Sequence, residues 1–118
     1  MTGLAGARVL VVEDEPVVAM CLEDMLDAFG CVTIGPATRL AEGLALAERG
    51  GIDAAILDIN LGGERSVAIA RALRAGGVPF AFASGYGAAP EGFEAPLLIE
   101  KPYREAEVRA ALTALLER

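Results

Sequence analysis

Histidine and tryptophan are absent from this chain of 118 residues. Without histidine there is no His-based nucleophilic triad, and most zinc sites are excluded as well. Cysteine occurs only twice, at positions 21 and 31, with no second thiol or imidazole at metal-ligand spacing. No secretory signal is visible in MTGLAGAR, so a disulfide framework is not expected. Both cysteines are expected to be small buried hydrophobes in a reducing compartment, and the location is expected to be cytoplasmic. Long apolar runs are missing too. The longest uncharged stretch, Ala75 to Pro90, is interrupted by three glycines and by Pro79 before it reaches Gly87. It falls short of the roughly 18 apolar residues that suggest a membrane span. Positive charge is scarce and scattered: ten Lys and Arg against seventeen Asp and Glu give a net charge of −7. A nucleic-acid surface needs a basic face, so neither nucleic acid nor membrane is expected as a partner.

What is present is a compact apolar composition. Hydrophobic residues make up 54% of the chain, and its length suits one domain, taken here as 1–118 with a core of about 7–117. Strand patterns alternate with helix patterns. RVLVVE from Arg8 to Glu13 has the short, β-branched apolar character of a buried strand. Asp14 and Pro16 suit the start of a helix whose stripe is Val18, Cys21, Leu22, Met25, Leu26 and Phe29, ended by Gly30. Cys31 to Ile34 alternates as an edge strand does, and Gly35-Pro36 is expected to break it. Thr38 is placed to cap a helix carrying Leu40, Leu44 and Ala47, stopped by Gly50-Gly51.

A third strand spans Asp53 to Ile59, and Asn60 to Gly63 is expected to be a loop. A helix over Ser66 to Ala75 and a strand over Pro79 to Ala83 follow. The fifth strand is Leu97 to Glu100, and the final helix runs from about Arg104 to Glu117. Alternation of this kind predicts a doubly wound α/β fold with a five-stranded parallel sheet in the flavodoxin-like order 2-1-3-4-5. Between Ser84 and Leu97, three glycines and two prolines weaken any helix, so the fourth helix is expected to be irregular or short.

In such a fold the carboxyl ends of the strands meet at one edge. Here those ends carry Glu13 and Asp14, Asp58, Ser84, and Lys101. Three converging carboxylates repel unless a cation neutralises them, and hard oxygen ligands suit Mg²⁺, with Mn²⁺ or Ca²⁺ as substitutes. The candidate metal ligands are Glu13, Asp14, Asp58 and the backbone carbonyl of Asn60. A transferring phosphoryl group spreads charge over three oxygens and is stabilised mainly by positioned charge. Lys101 can grip one oxygen. The Ser84 hydroxyl and nearby backbone N–H groups, that of Gly85 among them, can grip another. Asp58 is then the nucleophile and phosphoacceptor. Taken singly, each residue has an ordinary explanation, a helix cap, a loop turn or a solvated charge; their joint occurrence at successive strand ends favours the chemistry.

VLVVEDE, ILDINL, FASGYG and EKPY, in this order and spacing, resemble the receiver family of bacterial two-component response regulators, from Arg8 to the C-terminus. The resemblance implies Mg²⁺ at the acidic pair and phosphorylation at Asp58. It also implies a sensing role for Ser84, phosphoryl binding by Lys101 and a cis Lys101–Pro102 peptide. The implied donor is the phosphohistidine of a sensor histidine kinase or phosphotransferase, and the domain is a signalling phosphoacceptor rather than an enzyme. PFAFASGYG further resembles a subgroup with a Phe-Ala-Thr-Gly signature, although Gly87 stands where the signature closes with Tyr. Leu98 occupies the place of a switching aromatic on the fifth strand, so phosphorylation is expected to order the segment from Gly85 to Pro96 instead. The resemblance also implies that the positions held by Tyr86 and Asn60 influence dephosphorylation. Two other readings compete: a phosphorylation-independent interaction module on the same fold, and a haloacid-dehalogenase-type phosphatase. The latter wants a second Asp where this chain has Asn60.

Overall fold

The computed structural model describes residues 4–61, 64–85, 93 and 97–117. Five strands alternate with four helices. They are β1 (Arg8–Val12), α1 (Pro16–Ala28), β2 (Val32–Ala37), α2 (Leu40–Arg49), β3 (Ala54–Asp58), α3 (Val67–Ala75), β4 (Phe80–Ser84), β5 (Leu97–Glu100) and α4 (Glu105–Leu116). All neighbouring strands of this sheet run parallel in the order 2-1-3-4-5. The expected doubly wound topology is therefore the one observed. Where a loop was expected after β3, Asn60–Leu61 pairs antiparallel with Glu64–Arg65 in a small separate hairpin.

Period-two alternation sorts the side chains into two cores. Val9, Val11, Ala54, Ile56, Ala81 and Ala83 face Leu22 and Leu26 of α1 and Val108 and Leu112 of α4. Leu10, Val12, Ala55, Leu57, Phe80 and Phe82 face the other way, towards Ile69, Ala70 and Leu73 of α3. Because β3 lies between β1 and β4 with helices on both faces, all five of its residues are buried. That is why its first four residues, AAIL, are a continuous apolar run with no polar alternation. On the α3 side the sheet is covered closely. Gly43 is the buried residue of α2, and a Cβ there would lie 2.5 Å from Ile69 Cδ1.

Several local expectations give way. β2 does not stop at Gly35-Pro36 but continues to Ala37, with pairing that jumps from Leu10↔Ile34 to Val12↔Ala37. This is a bulge on an edge strand, where a proline's missing N–H costs no ladder bond. Gly35 takes a φ of 96°, and a Cβ there would lie 2.7 Å from the Ala37 nitrogen, so a side chain has no room. At the start of α1 the capping position is held by Glu15, not Asp14, and no side chain caps it. Arg39, not Thr38, precedes α2; the Thr38 N–H instead donates to Glu42 Oε1 at 2.9 Å. Cys31 is buried and its thiol donates to the Leu4 carbonyl, whereas Cys21 is exposed. The Lys101–Pro102 peptide is cis, as the family resemblance implied.

The irregular fourth helix expected between β4 and β5, its ordering on phosphorylation, and Tyr86 fall mostly or wholly outside the described residues. Phe93 is described, and it is buried rather than part of an open loop, at 2% exposure. Its ring meets Phe80 and Phe82 edge-to-face at 6.0 and 5.5 Å, and the Arg74 guanidinium lies 4.2 Å from its centroid. Leu98 packs against this same core. Among the described residues, no helix is long and apolar enough to cross a membrane.

Candidate functional site

Strand register decides which residues meet. Val12 pairs with Leu57, Asp58 with Ala83, and Ser84 with Glu100. The strands therefore end level, and the residues at or just beyond their ends, Glu13, Asp58, Ser84 and Lys101, collect at one edge. The Glu13 N–H donates to the Ala37 carbonyl at 2.9 Å, which ties the acidic turn to the end of β2. The Lys101 N–H donates to the Ser84 carbonyl at 3.1 Å, which ties the lysine's backbone to the end of β4. Asp14, Asp58, Asn60, Ser84, Gly85 and Lys101 line one cavity of about 490 Å³. A larger hollow of about 600 Å³ lies at the opposite end of the sheet, beside Gly6, Asp53, Gly77 and Leu115. Among the described residues that line it, Asp53 is the ionisable one, so chemistry and not size selects the smaller cavity.

Lys101 is the hub. Its Nζ lies 3.0 Å from Asp58 Oδ2 and 3.0 Å from Glu13 Oε1. Glu13 is entirely inaccessible, and Asp58 and Ser84 are also buried. The Asn60 N–H points at Asp58 Oδ1 across 3.4 Å, a long contact. Burial pushes the Glu13 carboxyl up to about 7, with the negative charge of Asp58 adding to the effect and Lys101 opposing it. For Lys101, burial acts to lower the pKa. The hydrogen bonds to Asp58 and Glu13 outweigh it and raise the ammonium above its usual range.

The Lys101 ammonium bridges two carboxylates, and a third lies beside them. Oxygen atoms of Glu13, Asp14 and Asp58 all lie within 4.8 Å of one another. Opposite ligands of an octahedral Mg²⁺ stand roughly 4.2 Å apart, twice the usual Mg–O distance. Three ligands include at most one opposite pair, and adjacent ones stand roughly 3 Å apart, so these hard oxygen donors fit a small dication once they draw in around it. All the residues expected at the site are brought together: Glu13, Asp14, Asp58, Asn60, Ser84, Gly85 and Lys101. Two further groups were not anticipated. The Tyr103 hydroxyl donates to Glu13 Oε1 at 3.3 Å, and the Glu15 N–H to Glu13 Oε2 at 3.3 Å. The only hint in the sequence was the tyrosine's place two residues after Lys101.

Comparison with known proteins agrees with this geometry. The family model for the response regulator receiver domain matches residues 9–113. The phyllosphere-induced regulator PhyR of Methylorubrum extorquens is 32% identical over 120 residues. That match takes in 94% of this chain but only 44% of the relative, so the chain spans less than half of PhyR's length. The solution structure of SdrG from Sphingomonas melonis Fr1 is 42% identical, with a TM-score of 0.85, over 98% of this chain and 99% of SdrG. The BeF3-activated conformation of SdrG (Pseudomonas melonis Fr1) is 45% identical over 95% and 98% of the two chains, with a TM-score of 0.78. Strand order, the level strand ends and these matches agree: the chain belongs to the response regulator receiver domain family of two-component signalling, whose members accept a phosphoryl group on an aspartate.

Proposed function

We propose that Asp58 is the phosphoacceptor, that Lys101 and Ser84 bind the transferred group, and that Glu13, Asp14, Asp58 and the Asn60 carbonyl hold Mg²⁺. The observation that carries this reading is the Lys101 ammonium at 3.0 Å from a buried Asp58 carboxylate at the end of the central strand. The proposed donor is the phosphohistidine of a sensor kinase or phosphotransferase. An Asp58 oxygen attacks phosphorus, the P–N bond breaks, and its electron pair returns to the imidazole of the donor. The product is an acyl phosphate on Asp58. As it forms, the Lys101 ammonium turns from both of its carboxylate partners, Asp58 and Glu13, towards a phosphoryl oxygen, keeping a charged partner throughout. The Ser84 hydroxyl and the Gly85 N–H, which line the same cavity, receive another oxygen. When bound, Mg²⁺, or Mn²⁺ or Ca²⁺ in its place, would neutralise charge on the remaining one.

These groups promote the domain's own phosphorylation and dephosphorylation; they act on no separate substrate. A cytoplasmic location belongs to the same reading, since phosphohistidine donors act there. The phosphorylation-independent alternative would have no use for a complete set of acid, hydroxyl and ammonium around one cavity. Phosphotransfer from a small acyl phosphate donor tests the proposal. Wild type takes up acid-labile phosphate and Asp58→Asn takes up none while keeping its circular dichroism. Undiminished uptake by the variant would name a different acceptor.

A further inference from the structure

We propose that Tyr103 is a positioning residue: its hydroxyl holds the Glu13 carboxylate in place when Lys101 leaves it for the phosphoryl group. This rests on the assignment of Glu13 and Lys101 made above.

The starting point is a conflict over one side chain. Lys101 Nζ reaches Glu13 Oε1 at 3.0 Å, Glu13 Oε2 at 3.3 Å and Asp58 Oδ2 at 3.0 Å. Two of the ammonium's hydrogen bonds go to carboxylates, one to Glu13 Oε2 and one to Asp58 Oδ2, and Glu13 Oε1 lies in ion-pair contact besides. A phosphoryl group on Asp58 draws the ammonium towards its own oxygens, so the grip on Glu13 loosens as it arrives. Glu13 cannot turn to solvent in compensation, because it is wholly inaccessible. A buried carboxylate that loses a charged donor is costly unless other donors remain.

Two other donors serve Glu13, and neither takes part in the chemistry. The Glu15 N–H serves Oε2 at 3.3 Å. The Tyr103 hydroxyl serves Oε1, the very oxygen that lies nearest the lysine, at 3.3 Å. The tyrosine ring packs against the core formed by β1, α1 and α4, so its hydroxyl is held by packing and does not have to be recruited. Residues that orient a ligand from behind in this way set how well a metal or anion binds in front.

The reach also depends on the length of the acid. An aspartate at position 13 would withdraw the carboxylate by roughly 1.5 Å, one carbon–carbon bond, and a hydroxyl already at 3.3 Å would lose contact. Glu13→Asp therefore disconnects Tyr103 without removing the charge, which makes a double-mutant cycle decisive.

The experiment uses the whole chain in four forms: wild type, Tyr103→Phe, Glu13→Asp and the double variant. Mg²⁺ is titrated first, and beryllium fluoride, a phosphoryl mimic, is titrated next in saturating Mg²⁺. Tyr103→Phe keeps the ring. Mg²⁺ affinity is expected to fall about threefold, and beryllium fluoride affinity about tenfold because Lys101 has then left Glu13. In the Glu13→Asp background the same substitution should change either affinity by less than about twofold. Equal losses in both backgrounds, or no loss in the wild-type background, overturn the role of Tyr103 and leave the phosphoacceptor proposal standing. A wild type that binds neither probe overturns both.

Discussion

Cation binding should be strongly pH-dependent around neutrality, and Glu13 is the reason. Its carboxyl is pushed up to about 7, chiefly by burial. A dication needs the carboxylate, so at pH 6, where about nine-tenths of Glu13 is protonated, binding must first expel a proton. At pH 8 only about one-tenth carries it. The apparent Mg²⁺ dissociation constant should accordingly fall about tenfold between pH 6 and pH 8, and roughly half a proton should be released per ion bound at pH 7. Calorimetric titration in two buffers of different ionisation enthalpy measures both quantities. Glu13→Gln should bind more weakly and lose the slope. An affinity constant across this range, with buffer-independent heats, would refute the link between burial of Glu13 and metal binding. The same shift predicts a stability trend in chelator. The folded carboxyl binds its proton more tightly than the free group, whose value is 4.5. The proton-linked stability is thus complete at low pH and is lost as pH rises from 4.5 to about 7, by at most about 3 kcal/mol. Saturating Mg²⁺ should offset that loss above pH 7.

Two other perturbations have definite outcomes. Lys101→Ala should leave Mg²⁺ binding intact or slightly tighter, since it removes a competing cation, while beryllium fluoride binding falls at least tenfold; isothermal titration separates the two, and unchanged anion binding would remove Lys101 from the site. Phe93→Ala deletes a ring buried against Phe80 and Phe82 and should cost about 3–5 kcal/mol in urea unfolding, whereas a loss below about 1 kcal/mol would mean that this ring does not belong to the core.

The site was legible because its residues sit where strands end, and strand ends are marked by abrupt changes from apolar to polar. Asp58 closes the run AAIL, and Glu13 closes VLVV. What could not be read locally depends on partners distant in sequence. Tyr103 bonds to an acid ninety positions earlier, and no spacing rule shows that. The face of α1 was ambiguous for another reason. Val17, Val18, Met20, Cys21 and Leu22 are apolar nearly all the way round, so periodicity alone does not orient the helix. Packing buries Ala19, Leu22 and Leu26 and leaves Val17 and Met20 at 72% and 61% exposure, with Cys21 outside as well. Gly35-Pro36 looked like a stop, yet on an edge strand it makes a bulge and pairing resumes at Ala37. Glycine and proline content suggested an open segment after Ser84 and gave no weight to Phe93, whose burial comes from two phenylalanines of β4.

The most direct measurement is chemical identification of the phosphorylated residue. After phosphotransfer, borohydride reduction converts an aspartyl phosphate to homoserine, and mass spectrometry of the digested chain locates it. Conversion confined to position 58 is the predicted result. Conversion at Asp14, or phosphate that resists reduction because it sits on a hydroxyl, would contradict the assignment of Asp58 as acceptor.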